Sequence, residues 1–278
     1  MAGKLPYEGF LLVSDMDRTL VTEDFKIPER NIEAIDRFIE KGGLFALATG
    51  RVASSAAKYF GRINTNAPSI LSNGSSIYDF RTDKILWCAT LPDSAEIMLA
   101  HIMEKFPDIG AEVYRNEEIY IINSSPWTEK HIVNEGFKFY TVNLNDVPHG
   151  WQKILLAGEN MRLREVEEYV CSLKHDGYYF VFSNLMYYEA LPEGVSKGTT
   201  LKRLSEMLNI KTERTFAIGD YYNDLTLVSM AGFGATVAGA PDELRDASKL
   251  VVGRCEDGAV ADLIEYIENN PHILDSSL

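Results

Sequence analysis

Phe10-Leu11-Leu12-Val13-Ser14-Asp15-Met16-Asp17-Arg18-Thr19-Leu20 sets two carboxylates two residues apart, just after a short apolar run. The run from Phe10 to Val13 reads as a buried parallel strand, since a strand covered on both faces is apolar without alternation. The acids then fall where the strand ends. Open α/β sheets bind their ligands at the carboxyl ends of strands. Taken alone, an Asp-x-Asp pair reads most simply as a solvated turn, and the remainder of the chain reverses that reading.

Three later segments complete a pattern. Leu44-Phe45-Ala46-Leu47-Ala48 is a second apolar run and ends in Thr49-Gly50-Arg51. Ser196-Lys197-Gly198 opens a helical stretch, and Phe216-Ala217-Ile218 leads into Gly219-Asp220-Tyr221-Tyr222-Asn223-Asp224. In order and spacing these four segments resemble the motifs of the haloacid dehalogenase (HAD) superfamily, specifically its Cof-type phosphatases. Gly194-Val195-Ser196-Lys197-Gly198 and Glu256-Asp257-Gly258 are also similar to the Cof pattern. The likeness covers nearly the whole chain and is strongest from Glu189 to Ile267. It implies an α/β fold, a HAD-like Rossmannoid parallel-sheet core with an α+β cap inserted between the Thr and Lys motifs. One position departs from the pattern: Arg18 stands where Cof-type motifs usually have Gly, although Asp-x-Asp-x-Thr is still met.

The chain rhythm points the same way. Ile32, Ile35, Phe38 and Ile39 share a helix face after Pro28, and Gly42-Gly43 stops the helix. The strand ending at Thr49, a short helix over 52–60 and a strand at Ser69 to Ser72 continue a β-α-β-α-β alternation, which predicts one parallel sheet. Asn73-Gly74 reads as a tight turn. From 84 to 188 several strands follow one another directly, predicting an α+β module with a largely antiparallel sheet. The αβ rhythm returns at Lys197, with Leu201, Leu204, Met207 and Leu208 turned inward. Residues 1–83 and 189–278 are therefore assigned to the catalytic core and 84–188 to the cap.

Composition narrows the class. Of 278 residues, 46% are apolar and 24% charged, as in a soluble globular protein. No apolar run approaches the roughly 18 residues of a membrane helix. Met1 to Pro6 lacks a signal-peptide core. Cys88, Cys171 and Cys255 are scattered and odd in number, which fits a reducing, cytoplasmic location. The five histidines show no ligand spacing and read as ordinary surface or packing residues, and Trp87, Trp127, Trp151, Tyr187 and Tyr188, in and beside the insertion, read as core in preference to a substrate pocket and are assigned no role. A net charge of −14 argues against a nucleic-acid partner, which requires basic surface. A small phosphate ester is still compatible, because a divalent cation can invert the field within one cleft.

What the resemblance implies for chemistry is specific. Asp15 is the expected nucleophile, forming an aspartyl-phosphate, and Asp17 the acid that protonates the departing alcohol and then deprotonates water. The expected Mg²⁺ ligands are Asp15, the Asp17 carbonyl and Asp220, with Asp224 supporting them from behind. Carboxylate oxygens with open water positions suit that ion. Met16, Thr49, Gly50, Arg51, Lys197 and Asn223 are the expected phosphate and substrate contacts, and Arg51 reads equally as a surface residue. Lys197 sits in a first helical turn, where a cation is disfavoured without a reason. The expected function is a Mg²⁺-dependent phosphatase acting on a small phosphorylated metabolite, a sugar phosphate or a phosphorylated cofactor. A phosphomutase, or a catalytically silent metabolite-binding protein on this fold, is the alternative. Gly232-Phe233-Gly234 does not make a dinucleotide site, because Val237 stands where a third Gly is required.

Overall fold

Leu11–Ser14 lies between Thr215–Gly219 and Leu44–Leu47, each pairing parallel to it, and Phe233–Val237 and Leu250–Val252 extend the sheet beyond Thr215–Gly219. The computed structural model describes residues 5–275; Met1 to Lys4, read above for a targeting signal, lie outside the described residues. Successive side chains of a strand point to opposite faces. Leu12 and Phe45 accordingly pack with Ile35, Phe38, Leu263 and Ile264 on one side of this sheet. Leu11, Val13 and Ala46 pack with Leu201, Leu204 and Leu227 on the other. Coverage on both faces is why the run at 10–13 is apolar throughout, each buried Leu stabilising the fold by roughly 1.5–3 kcal/mol. Met207, expected to point inward, is 44% exposed.

The expected continuation of the parallel sheet through residue 69 is corrected by the structure. Ser69–Leu71 meets that sheet through one parallel bridge, Ala48 to Ile70, and through the Ser69 hydroxyl, which accepts from Leu47 N–H at 3.1 Å. It pairs instead with Ser76–Asp79, which pairs with Lys84–Cys88, all antiparallel. The cause is the turn at Asn73-Gly74, which reverses the chain at once. A short turn can join only antiparallel neighbours.

The middle of the chain forms a six-stranded sheet, ordered Tyr178–Asn184, Tyr187–Pro192, Lys153–Ala157, Gly110–Arg115, Glu118–Asn123 and Phe139–Thr141. Every pair is antiparallel except the last. Ser94–Lys105 and Asn160–Ser172 bury Leu99, Ile102, Leu163 and Val166 against one face. Pro126–Glu135 lies on the side where Tyr114, Leu155 and Tyr187 are buried. Of the two sequence boundaries, residue 84 begins a strand that pairs back toward the core, and residue 188 lies inside a strand of the six-stranded sheet. Among the described residues, no helix is long and apolar enough to cross a membrane.

Candidate active site

The carboxyl ends of three parallel strands converge. Asp15 follows Leu11–Ser14, Thr49 to Arg51 follow Leu44–Leu47, and Asp220 follows Thr215–Gly219. Lys197 enters from the first turn of Lys197–Met207, where Ser196 caps the helix through Thr199. Two glycines permit this convergence. Gly74 has φ +106°, and a Cβ there would lie 2.4 Å from the Ser196 backbone, so the turn can press on the Lys197 helix only without a side chain. A Cβ on Gly219 would lie 2.4 Å from the Asp224 carboxyl carbon.

Lys197 is wholly buried, and its Nζ donates to Asp15 Oδ1 at 2.6 Å and to Asp224 Oδ1 at 2.7 Å. Burial by itself would lower its pKa, but the two carboxylates outweigh it and hold the ammonium charged well beyond the usual range. Asp224 Oδ2 accepts from the backbone N–H groups of Asp220 and Tyr221 at 3.1 and 3.3 Å. Both Asp224 oxygens are thus engaged within the protein. Asp15 differs. Its Oδ2 is buried and has no hydrogen-bond partner among the described residues. Burial, then the charge of Asp224, raises its pKa to about 7 against the opposing pull of Lys197. Asp220 is pushed well above the carboxylate range, by burial and then by Asp15 and Asp224.

Asp15, Asp220 and Asp224 can bring one oxygen each within 4.8 Å of one another. A cluster this acidic, with an orphaned carboxylate oxygen and two acids resisting ionisation, is short of positive charge. All its donors are hard oxygens, the set that suits Mg²⁺ rather than a softer metal.

Arg51 is buried, yet its guanidinium is directed at Asp17, donating from Nε to Oδ2 at 2.8 Å and from Nη2 to Oδ1 at 2.7 Å. A third donation, from Nη1 to Ser55 Oγ at 2.8 Å, fixes the fork. The residue expected to touch phosphate is therefore spent on orienting the second acid. Thr49 Oγ1 accepts from Arg51 N–H at 3.2 Å. The Met16 side chain is fully buried in the core, leaving its backbone for any contact with a ligand. Asn223 donates to Asn73 Oδ1 at 3.0 Å, and Asn73 donates to Glu189 Oε2 at 2.7 Å. The Asn73 side chain thus does more than turn the chain.

A cavity of about 490 Å³ opens over these groups, walled by Asp15, Asp17, Gly50, Arg51, Asp220 and Asn223 below and by the six-stranded sheet above. A cap over the cleft is what the resemblance implies, but the charged side chains of this upper wall carry no role in the sequence reading. Lys153, 1% exposed, donates to the Gly50 carbonyl at 2.9 Å and lies 3.2 Å from Glu189 Oε2. His131, read as an ordinary packing residue, is instead buried between two carboxylates, with Nδ1 2.9 Å from Glu112 Oε1 and Nε2 3.0 Å from Glu135 Oε1. Tyr187, read as core, lines the same space. One signal was available: His131 and Glu135 stand four residues apart, on one helix face. Arg18 takes φ +64°, the left-handed conformation that Gly usually supplies, and directs its side chain to Glu23 at 3.2 Å on the cavity rim.

Against this geometry the comparisons are direct. A model of the haloacid dehalogenase-like hydrolases matches residues 12–264. An HMP-PP phosphatase of Cronobacter sakazakii is 29% identical over 269 residues, covering 93% of this chain and 96% of the relative. The crystal structure of a haloacid dehalogenase-like hydrolase from Bacteroides thetaiotaomicron superposes with a TM-score of 0.81 at 25% identity, covering 93% and 99% of the two chains. A subclass IIB sugar phosphatase of the superfamily shares the fold at 18% identity, with a TM-score of 0.81 over 93% and 99% of the chains. The chain belongs to the haloacid dehalogenase-like hydrolase family. The Cof-type resemblance, the α/β class and the expectation of a phosphatase are borne out with it.

Proposed function

We propose that the protein is a Mg²⁺-dependent phosphatase that hydrolyses a small phosphorylated metabolite, a sugar phosphate or a phosphorylated cofactor, through an aspartyl-phosphate on Asp15. The observation that carries this reading is the asymmetry of Asp15: Oδ1 is fixed by Lys197, while Oδ2 is free of partners among the described residues and the residue borders the cavity. In the first step Oδ2 forms a bond to phosphorus as the bond to the leaving oxygen breaks, and Asp17 passes its proton to that oxygen. In the second, Asp17 takes a proton from water, whose oxygen attacks phosphorus and returns Asp15 as a carboxylate. The Arg51 fork holds Asp17 in one orientation for both transfers. Asp15, Asp220 and the Asp17 carbonyl would hold the Mg²⁺, with Asp224 steadying Lys197 and the Asp220 backbone from behind. Such an ion neutralises charge on the transferring phosphoryl group. Thr49, Gly50, Asn223 and the Met16 backbone are assigned to the phosphoryl oxygens.

Residues from about 89 to 192 are assigned to a cap, because they hold the whole six-stranded sheet that roofs the cavity. The names of the relatives support a small phosphorylated substrate. The test is release of inorganic phosphate from a panel of phosphorylated metabolites with Mg²⁺. Chelation should silence turnover and Mg²⁺ should restore it, with restoration weakened in Asp220→Ala. Undiminished turnover in metal-free buffer would refute the metal assignment, and absence of phosphate release from every ester would refute the phosphatase.

A further inference from the structure

The roof of the cavity contains a chain of polar groups with one closed end and one open end. Tyr114 donates from its hydroxyl to Glu112 Oε2 at 2.8 Å, and both Glu112 oxygens lie about His131 Nδ1, at 2.9 and 3.0 Å. His131 Nε2 then meets Glu135 Oε1 at 3.0 Å. Glu112 is satisfied on both oxygens. Among the described residues, nothing other than His131 meets the Glu135 carboxylate, and Glu135 borders the cavity.

Three features of Glu135 work against stability. It is nearly buried, its side chain 14% exposed, beside an otherwise apolar cluster that includes Phe137, Leu155 and Tyr187. It is the last residue of Pro126–Glu135, where the negative pole of the helix disfavours an anion. It also belongs to a buried charged group that apolar side chains of like volume would match or better. The surroundings nevertheless hold it ionised. Burial favours the neutral acid, but His131 and then Arg51 overcome this and bring the carboxyl down to about 2. Burial likewise opposes the imidazolium, and Glu112 and Glu135 raise His131 to about 10. An ionised carboxylate accepts hydrogen bonds and donates none. Its place is defined as well: Arg51, which feels the charge of Glu135, grips Asp17, the acid assigned to the leaving oxygen.

We propose that the Glu135 carboxylate, held by His131, is a specificity determinant that accepts a hydrogen bond from a hydroxyl or amino group on the leaving-group portion of the substrate. Resting on the phosphatase reading above, this narrows the substrate to phosphate esters with a donor near the ester oxygen. A second anionic group at that point would be repelled. His131 is a positioning residue, orienting the carboxylate without touching substrate.

The experiment uses pairs of phosphate esters differing in a single donor, one arm replacing a hydroxyl by hydrogen and the other an amino group by hydrogen. Phosphate release is measured with the wild-type protein and with Glu135→Met. The wild type should prefer the donor-bearing ester of at least one pair by about 10–100-fold in kcat/KM, the range of a hydrogen bond to a charged group. Glu135→Met should bring that ratio close to one, and the arm in which it collapses names the donor. A ratio that survives Glu135→Met would overturn the proposal, because a merely structural Glu135 would lower both members of a pair alike. Should the variant fail to fold, the wild-type series still decides: no pair differing by more than about twofold also overturns it. Turnover of no ester at all would remove the phosphatase reading and this inference with it, whereas turnover without discrimination removes this inference alone.

Discussion

Replacing Lys197 by Met removes the cation that Asp15 and Asp224 share while keeping most of the length of the side chain. Asp15 Oδ1 and Asp224 Oδ1 each lose a donor at 2.6–2.7 Å. Breaking a buried ion pair by deleting one partner costs about 3–5 kcal/mol. For a protein of this size each kcal/mol shifts Tm by about 2–4 °C, so Lys197→Met should melt roughly 6–20 °C below wild type in metal-free buffer. Activity should suffer separately. Burial and then Asp224 push the Asp15 carboxyl up while Lys197 pulls it down, so losing the ammonium favours the protonated, non-nucleophilic acid. It also frees Oδ1 from its fixed donor, and turnover should fall by about three orders of magnitude. Adding Asp224→Asn relieves one of the stranded charges, so the double variant should regain part of the lost Tm without regaining turnover. Calorimetry and phosphate release on the three proteins measure both. A Lys197→Met protein that melts within about 2 °C of wild type and keeps its turnover would refute the assignment of Lys197 as the charge that holds Asp15 ready.

Three further outcomes are expected. Asp15→Asn should fold normally and lose several orders of magnitude in kcat, since the amide is a poor nucleophile, and a radiolabelled phosphoryl group should no longer become attached to the protein. Arg51→Lys keeps the charge but not the two-pronged grip on Asp17, so kcat should fall about 10–100-fold with KM less affected, as steady-state kinetics would show. His131, at about 10 against an ordinary value near 6.5, contributes stability that is fully present below about pH 6.5 and is lost as pH rises through about 10. Urea unfolding should therefore show the wild type losing, over that window, a few kcal/mol of its advantage over His131→Gln.

The catalytic floor of the cavity was legible because each reactive residue ends an apolar run or opens a helix, and the spacing of those segments resembles a known set. The roof was not, for a physical reason. Lys153 acts on Gly50, and Glu189 on Asn73, partners more than a hundred residues away that no local pattern connects. Each of these charges stands within a strand whose other residues are buried, a placement with a high desolvation cost and hence a usable sign of function. Arg51 was visible as a candidate but not its target, which depends on the side-chain direction at the strand end. Fold class followed from the rhythm of elements. The pairing of Ser69–Leu71 did not, because a triplet as short as Ser69-Ile70-Leu71 reads alike in parallel and antiparallel company, and the turn after it decides.

The pairing of Leu11–Ser14 with Thr215–Gly219 joins segments some two hundred residues apart and governs how the protein is made. At translation rates of about 5–20 residues per second, the amino-terminal strand leaves the ribosome roughly 10–40 s before its neighbour exists. Through that interval one edge of an apolar strand has no partner, whereas the hairpins of the middle segment can close as they emerge. The nascent chain therefore completes its roof before its floor, and Asp15 gains Lys197, Asp220 and Asp224 only when synthesis is nearly over. A released fragment ending just before residue 197 keeps every strand of the six-stranded sheet and should show no hydrolytic competence, since it lacks Lys197, Asp220 and Asp224.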